Sequence, residues 1–455
     1  MINQANIGAI DSFLTRGVEH LYPSKEFLQS KLMKGEPLTI YFGIDPTGSV
    51  LHLGHAIPLM KLRELQDLGH QVILLIGDFT AMIGDPTDKS AARKQLTRKE
   101  VLANAKNYKK LASNILRFSG SNAVQLKYNS KWLDKLSFVD VVNLTSHFTV
   151  QQMAERDMFR KRLGWSRVET LELVCPDCKK IRPVSTNSGL TGTFTNVDPC
   201  DCEKLLSTNI KTTFGSSQPV YLHEFLYPVM QAYDSVVLDV DGEMGGNDQT
   251  FNMLAGRDLM KAMKGKEKFV VSMKLLTDST GKKMGKTEGN MITLEDSADD
   301  MFGKVMSWTD GMIEPGFELL TRVPMNEVRQ MEHDMKAGTN PRDYKERLAC
   351  EIVTRFFDAD EARLAADRFR KQFTQHETPT DVPVHHLSVE KMNVLDLLVA
   401  TKLAPSKGEA RRLIDGGGVK ADGHVIGGYD AEIFPTAQGV LMQKGKRHFV
   451  RVLRG

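Results

Sequence analysis

Apolar residues in this chain fall into short continuous runs separated by stretches of helical period, and that alternation predicts the fold. Tyr41-Phe42-Gly43-Ile44 is a short apolar run of strand type. Asp45-Pro46-Thr47-Gly48 follows as turn chemistry, with proline fixing one φ angle and glycine permitting a positive one. Ile57, Met60, Leu65 and Leu68 then recur at helical spacing, and Gly69 is placed to stop the helix. Val72–Ile76 is a continuous apolar run, as expected of a parallel strand buried on both faces. Strand, helix and strand in this order form a βαβ unit. The predicted fold class is α/β, a doubly wound parallel sheet, with ligands at the carboxyl ends of its strands. Tyr41, Asp45, Thr80, Asp85 and the loop holding Lys89 fall near that edge.

The rest of the chain divides by texture. Residues 1–40 read as a helical lead-in ending at Gly35-Glu36-Pro37. Residues 94–163 alternate helical patterns with short strands, such as Val124–Tyr128 before Asn129. A stretch rich in Ser, Thr, Asn and Gly, 164–217, reads as a small inserted module. Val236–Val240 reads as a further strand, and 300–385 is helical with a break at Gly338–Pro341. The expected organisation is a Rossmann-like domain over 1–270 containing the insertion, a helical domain over 271–385 and a small α+β module over 390–455.

Composition narrows the class. At 41% apolar and 26% charged residues, the chain has the profile of a soluble globular protein. Its net charge of +3 is too small to indicate nucleic-acid binding by the whole surface, so any basic surface is local. No apolar run approaches the ~20 residues that span a membrane. Asp11 and Glu19 interrupt any secretory pattern near the start. Five cysteines in 455 residues do not make a disulfide scaffold. Four of them cluster in the insertion, which points to metal or redox chemistry in a reducing compartment such as the cytoplasm.

Four constellations carry candidate chemistry. His52 and His55 share a face in the first turn of a helix, where free N–H groups and the positive dipole end suit an anion such as phosphate. Gly54 between them removes a side chain where a ligand could approach the backbone. A metal pair or two surface histidines would fit the same spacing, and the upstream strand and turn favour the anion. Tyr227, Gln231 and Asp234 fall on one helical face, either converging on a small polar ligand or forming a solvated stripe. Gly245-Gly246-Asn247-Asp248-Gln249 is a Gly-rich turn whose acid could accept ribose hydroxyls. Lys282, Lys283 and Lys286 lie within five residues, flanked by glycines and followed by Thr287. Such a loop could close on a polyphosphate, or be a solvated basic loop.

Two further features stand apart. Cys175-x-x-Cys178 has the knuckle spacing of structural zinc sites, while Cys200-x-Cys202 is one residue tighter. The set favours a tetrahedral zinc site over a reduced or redox cluster, or a site left empty. Cys350 stands alone in an apolar helical pattern and reads as core. From Met392 onward ten Lys or Arg face six Asp or Glu. Lys407, Arg411 and Arg412 line one side of an amphipathic helix over Ala404–Ile414, suggesting phosphate-backbone contact.

Taken in order, these motifs resemble those of the tyrosyl-tRNA synthetases. His52-Leu53-Gly54-His55 resembles the HIGH signature of class I aminoacyl-tRNA synthetases, Lys282–Thr287 resembles the KMSKS signature, and the tail resembles the RNA-binding domain of ribosomal small-subunit protein four. The resemblance implies tyrosine–tRNA ligation: ATP activates L-tyrosine, and the tyrosyl group passes to the 3′ end of tRNA(Tyr). By the same resemblance, Tyr41 and Asp234 bind the substrate phenol. Asp85, Tyr227 and Gln231 hold its α-ammonium, with Thr80 and Gln249 nearby. Gly43 and Asp248 match the adenosine ribose site, and Asp45, Gly54 and Gly246 lie in the same ATP-binding motifs. Thr47, His52 and His55 surround the ATP phosphates. Lys89, Arg93, Lys283, Lys286 and Thr287 belong to the motifs that assist as pyrophosphate leaves. Magnesium, an anticodon-binding role for the helical domain and a homodimer are implied likewise. The resemblance assigns the insertion no role. A chain kept only for RNA binding, or a tryptophan-specific relative, would share some of these motifs. The intact histidines and lysines argue against the first, and Tyr41 with Asp234 and the basic tail against the second.

Overall fold

The run Val72–Ile76 forms the strand Gln71–Ile76, buried along all but its first residue. It pairs in parallel with Thr39–Ile44 on one side and Gln125–Tyr128 on the other. The computed structural model describes residues 4–85, 95–163, 168–174, 181–185, 207–213, 219–277, 291–373, 382–436, 438–445 and 448–455. Lys89, Arg93, Lys283, Lys286, Thr287, Cys175, Cys178, Cys200 and Cys202 lie outside these residues.

The main sheet has six strands in the order Val18–Tyr22, Phe269–Met273, Gly242–Gly246, Thr39–Ile44, Gln71–Ile76, Gln125–Tyr128. The last five are parallel, and the chain reverses its direction of winding between Thr39–Ile44 and Gly242–Gly246. That reversal opens a crevice at the carboxyl ends of the two strands, the place where doubly wound sheets take ligands. Two local expectations change. The lead-in is not wholly helical: Val18–Tyr22 joins the sheet antiparallel to Phe269–Met273, so the sheet is mixed. Val236–Val240 is not a strand. The helix Leu222–Leu238 runs through Val236 and stops where Asp239 takes a left-handed conformation at φ 51°. Val236 is buried and Val237 is exposed, as helical spacing requires, and packing outweighs the strand preference of paired valines.

The helix Leu53–Asp67 begins as its sequence predicts and is tied down at its start. His52 is the N-cap, and its Nδ1 accepts from the Gly54 N–H at 3.1 Å. His55 Nδ1 accepts from the His52 N–H at 3.2 Å, closing a capping box made of two imidazoles. The Leu53 N–H donates to the Ile292 carbonyl at 3.0 Å, and the Leu294 N–H donates to that of Leu51 at 2.8 Å. The chain just after the Lys-rich segment is thus hydrogen-bonded beside the histidine turn. Gly69, at φ 93°, ends the helix as expected.

Within 164–217 a three-stranded antiparallel sheet forms, with Val168–Val174 between Ile181–Ser185 and Ser207–Thr213. The polar texture of this stretch carried no strand signal of that extent. Arg162 closes the neck of the insertion, donating to both carboxylate oxygens of Glu224 and to the Pro219 carbonyl.

By contact the chain forms two units: Met1–Asp296 with Trp308–Leu348, and Ser297–Ser307 with Ala349–Gly455. In the second, the helices Ala298–Met306 and Ala359–Phe373 pack through the Phe302 and Phe369 rings, 5.4 Å apart. Its C-terminal part is α+β. A five-stranded sheet of Val384–Leu387, His448–Arg454, Val440–Lys444, Val419–Ala421 and His424–Val425 shares a core with the helices Val394–Ala400 and Lys407–Asp415. The expected helix over Ala404–Ile414 is shorter at its start, because Ser406 caps it by accepting from the Glu409 N–H. Lys407 is paired with Asp396 at 2.5 Å and Arg412 with Glu409 at 3.4 Å, while Arg411 lies over the Tyr429 ring. Cys350 is only partly buried, in the helix Pro341–Phe356.

Candidate active site

Two buried acids, Asp234 and Glu243, stand in the site. Asp234 projects from the helix Leu222–Leu238 and is 2% exposed. One of its oxygens accepts from Trp132 Nε1 at 2.7 Å and the other from Asn129 Nδ2 at 3.1 Å. Burial drives its carboxyl well above the ordinary range, against the pull of these two donors. Glu243, on the strand Gly242–Gly246, accepts from Gln231 Nε2 at 2.9 Å and is ion-paired with the buried Lys268. Tyr41, from the central strand, is 1% exposed, and its hydroxyl lies 3.1 Å from Ser235 Oγ rather than on Asp234. Burial, then the charges of Glu243 and Asp234, push the Tyr41 hydroxyl far up, so it stays protonated.

A second group gathers nearer the strand ends. Asp45 accepts from Thr80 Oγ1 at 2.7 Å and from the Tyr227 hydroxyl at 2.9 Å. Burial raises its carboxyl to about 7, although both donors oppose the shift. Asp85 accepts from Arg156 Nη2 at 3.0 Å and from Gln249 Nε2 at 2.5 Å. Asn252 donates to the side-chain carbonyls of both Gln231 and Gln249, at 3.0 and 2.9 Å. Arg156 is 5% exposed, and its Nε and Nη1 find no hydrogen-bond partner among the described residues. Four acids share the site with two buried cations, and burial holds the Asp45 and Asp234 carboxyls toward their neutral forms; an ammonium group entering beside them would favour the ionised forms.

The backbone at the rim is open where a ligand would need it. Gly43 is the exposed residue of an otherwise buried stretch of strand, and a Cβ there would make only an ordinary contact at 3.9 Å. At Gly246 a Cβ would meet Asp248 Oδ1 at 2.5 Å, so glycine lets that acid fold back over the strand end. Gly54 has a second reason beside the one its spacing suggested. A Cβ there would sit 2.9 Å from the His52 ring, so glycine makes room for the cap as well as for any ligand. Thr47 is exposed on a turn held by Tyr108, whose hydroxyl donates to the Gly48 carbonyl at 2.6 Å.

The His52 and His55 rings lie 3.9 Å apart between centroids. Because each Nδ1 accepts from a backbone N–H, the neutral rings carry their protons on Nε2. The capping box thereby fixes the tautomer and makes each imidazole a hydrogen-bond donor through Nε2.

The structure therefore brings together Tyr41, Asp45, Thr80, Asp85, Tyr227, Gln231, Asp234 and Gln249, with Gly43, Gly246 and Asp248 at the strand ends. It does not bring Tyr41 and Asp234 into a hydrogen bond with each other. Asn129, Trp132, Arg156, Ser235, Glu243, Asn252 and Lys268 also belong to the site, and the sequence reading assigned them no role. Asn129 follows a predicted strand end and could have been suspected. The others carried no local signal.

Comparison with known proteins agrees with this architecture. The family described as class I tRNA synthetases (W and Y) matches residues 33–176 and 196–374, and a tyrosine–tRNA ligase SYY-like C-terminal domain matches 372–452. A tyrosine–tRNA ligase of Haemophilus ducreyi is 39% identical over 98% of both chains. One of Thermotoga maritima is 39% identical over 97% of this chain and 96% of its own. Among solved structures, a C-terminally truncated mitochondrial tyrosyl-tRNA synthetase of Coccidioides posadasii has a TM-score of 0.55 at 22% identity, covering 79% of this chain and 91% of that one. The Archaeoglobus fulgidus tyrosyl-tRNA synthetase, complexed with L-tyrosine, has a TM-score of 0.54 at 19% identity, covering 79% and 99%. These two share the fold. With family matches over nearly the whole length and relatives this similar, the chain belongs to the class I tRNA synthetases, in their tyrosine–tRNA ligase family.

Proposed function

We propose that this chain activates L-tyrosine with ATP and transfers the tyrosyl group to the 3′ end of tRNA(Tyr). The observation that carries the reading is that Asp234 and Tyr41 are buried together, with Asp234 close enough to raise the Tyr41 hydroxyl. A site that hydrogen-bonds a hydroxyl can reject the analogue lacking it by roughly 10⁴–10⁵, so phenylalanine is excluded without editing.

In this reading Asp85, Tyr227 and Gln231 take the α-ammonium, with Thr80 and Gln249 behind them. The tyrosine carboxylate attacks the α-phosphorus of ATP, and the bond to pyrophosphate breaks. A ribose hydroxyl of the tRNA then attacks the carbonyl of the adenylate, releasing AMP. The first step needs alignment and charge stabilisation more than an acid or base. His52 and His55 offer Nε2 donors to the phosphates, Thr47 stands beside them, and Gly43 and Asp248 receive the ribose, with Asp45, Gly54 and Gly246 in the same motifs. Lys89, Arg93, Lys283, Lys286 and Thr287 stabilise the departing pyrophosphate. Among the described residues no cluster of three or more His, Cys, Asp or Glu is placed to hold a metal. Magnesium is assigned to the triphosphate, where it would shield the departing pyrophosphate.

Three finer assignments belong to the same reading. Lys407, Arg411 and Arg412 contact RNA, although two of them are engaged by carboxylates that RNA phosphates would have to displace. Phe138, Val139 and Val142 are exposed on the short helix Phe138–Thr145, an apolar face that suits a homodimer. The four clustered cysteines hold one zinc. In support, Val174 pairs with both Ile181 and Ser207, so both cysteine pairs adjoin the same end of one sheet in sequence. The cytoplasm, where thiols stay reduced, is the assigned compartment.

ATP–pyrophosphate exchange with tyrosine, phenylalanine and tryptophan in parallel tests the central claim. Exchange with tyrosine alone supports it. No exchange with any of them would leave RNA binding as the remaining role.

A further inference from the structure

Tyr41 belongs to a closed polar group with no outlet to water. Lys268 and Ser235 are 0% exposed, and Glu243 and Tyr41 are each 1% exposed. A lysine so placed is costly to bury, and its surroundings are built for it. Lys268 Nζ donates to Ser235 Oγ at 2.8 Å and is ion-paired with Glu243. Gly256 makes the space, since a Cβ there would lie 2.5 Å from Lys268 Nζ and 2.8 Å from Ser235 Oγ. The other oxygen of Glu243 accepts from Gln231. Both carboxylate oxygens are therefore engaged before Ser235 is considered.

The direction of the remaining hydrogen bonds matters for recognition. An ammonium can only donate, so Ser235 Oγ accepts from Lys268. Ser235 has one proton and two acceptors in reach, the Tyr41 hydroxyl at 3.1 Å and Glu243 Oε2 at 3.4 Å. If Ser235 donates to Glu243, Tyr41 donates to Ser235 and has no proton left for a ligand. If Ser235 donates to Tyr41, the Tyr41 proton is left to the ligand's phenol oxygen or to Glu243, which the hydroxyl also reaches, and the phenol in turn donates a hydrogen bond to Asp234. Lys268 favours the second arrangement twice over. It occupies the competing oxygen of Glu243, and by donating to Ser235 it makes the serine proton a better donor.

We infer that Lys268 and Ser235 are positioning residues that polarise Tyr41 as a hydrogen-bond donor, so that the site selects an aromatic amino acid bearing a para-hydroxyl. This rests on the tyrosine reading above and adds to it the residues that set the direction of the bond. It makes a distinction that simple structural damage would not make. Loss of the relay removes an interaction with the hydroxyl, and phenylalanine has none to lose.

The test is ATP–pyrophosphate exchange by the full chain with tyrosine and with phenylalanine, for the unaltered protein, Ser235→Ala and Lys268→Met. The expected result is a roughly tenfold fall in the tyrosine-to-phenylalanine ratio of kcat/KM in each variant. It should come from a higher tyrosine KM, with the ATP KM and the phenylalanine rate unchanged. Lys268→Met leaves Glu243 short of a partner and could fail to fold. Ser235→Ala keeps the ion pair and decides the matter in that case. An unchanged ratio in Ser235→Ala, or equal losses with both amino acids, overturns the inference while the tyrosine reading stands. Absent tyrosine exchange by the unaltered chain overturns both.

Discussion

Trp132 donates its indole N–H to Asp234 at 2.7 Å, across 102 positions of sequence. Asn129 donates to the other oxygen of the same carboxylate and, through the same nitrogen, to Thr80 at 3.1 Å. The acid assigned to the phenol is thus held by two donors that carry no charge. Asp234→Ala should raise the tyrosine KM by up to about 100-fold, since a buried hydroxyl left without its partner costs ~1–3 kcal/mol. The ATP KM should be unchanged in the same steady-state measurement. Equal losses for both substrates would count against the phenol role.

The imidazole cap separates stability from chemistry. His52→Ala should destabilise the chain by about 1 kcal/mol in denaturant unfolding, the usual cost of losing an N-cap. His52→Asn should keep most of that stability, because asparagine caps well, and still lose exchange activity. If both variants unfold alike, the His52 side chain does not serve as the cap.

Asp45 should make stability depend on pH near neutrality. Its folded carboxyl titrates at about 7, above its ordinary value of 3.8. Between those values the folded chain binds more protons than the unfolded one. The contribution is therefore complete below pH ~4 and lost as pH rises toward 7. Relative to Asp45→Asn, the unaltered chain should lose Tm over that window. Parallel Tm curves for the two proteins would show that Asp45 titrates in its ordinary range.

Elemental analysis should find one zinc per chain, and Cys178→Ser should lower it. Structural zinc contributes directly to folding, so chelation should also lower the melting temperature. A stable metal-free preparation with the same melting temperature would sink the assignment.

The apolar face of Phe138, Val139 and Val142 should be covered in solution. Phe138→Glu should shift the chain from dimer to monomer in sedimentation velocity. A monomeric unaltered chain would remove the homodimer from the reading.

Much of the candidate site was legible because its residues sit at boundaries that leave local marks. His52, Gly54 and His55 follow a turn and open a helix. Asp248 follows paired glycines, and Tyr227, Gln231 and Asp234 share a helical face. What stayed hidden has no such mark. Lys268 lies in Lys264-Gly265-Lys266-Glu267-Lys268, where three lysines look equally solvated, yet this one is wholly buried. Ser235 is a small residue beside the acid that drew attention. The short run Val18–Tyr22 alternates too weakly to be told from the helices on either side of it.

The sequence by itself determined the order of strands, turns and helices around Tyr41–His55, and with it the family, because periodicity, capping and turn chemistry act over a few residues. Only the tertiary structure decided which partners each polar group meets. It set Tyr41 on Ser235 rather than Asp234, paired Lys268 with Glu243 and added an antiparallel edge to the sheet. Those choices join residues far apart in the chain. They depend on which groups are driven out of water together, and no local pattern records that.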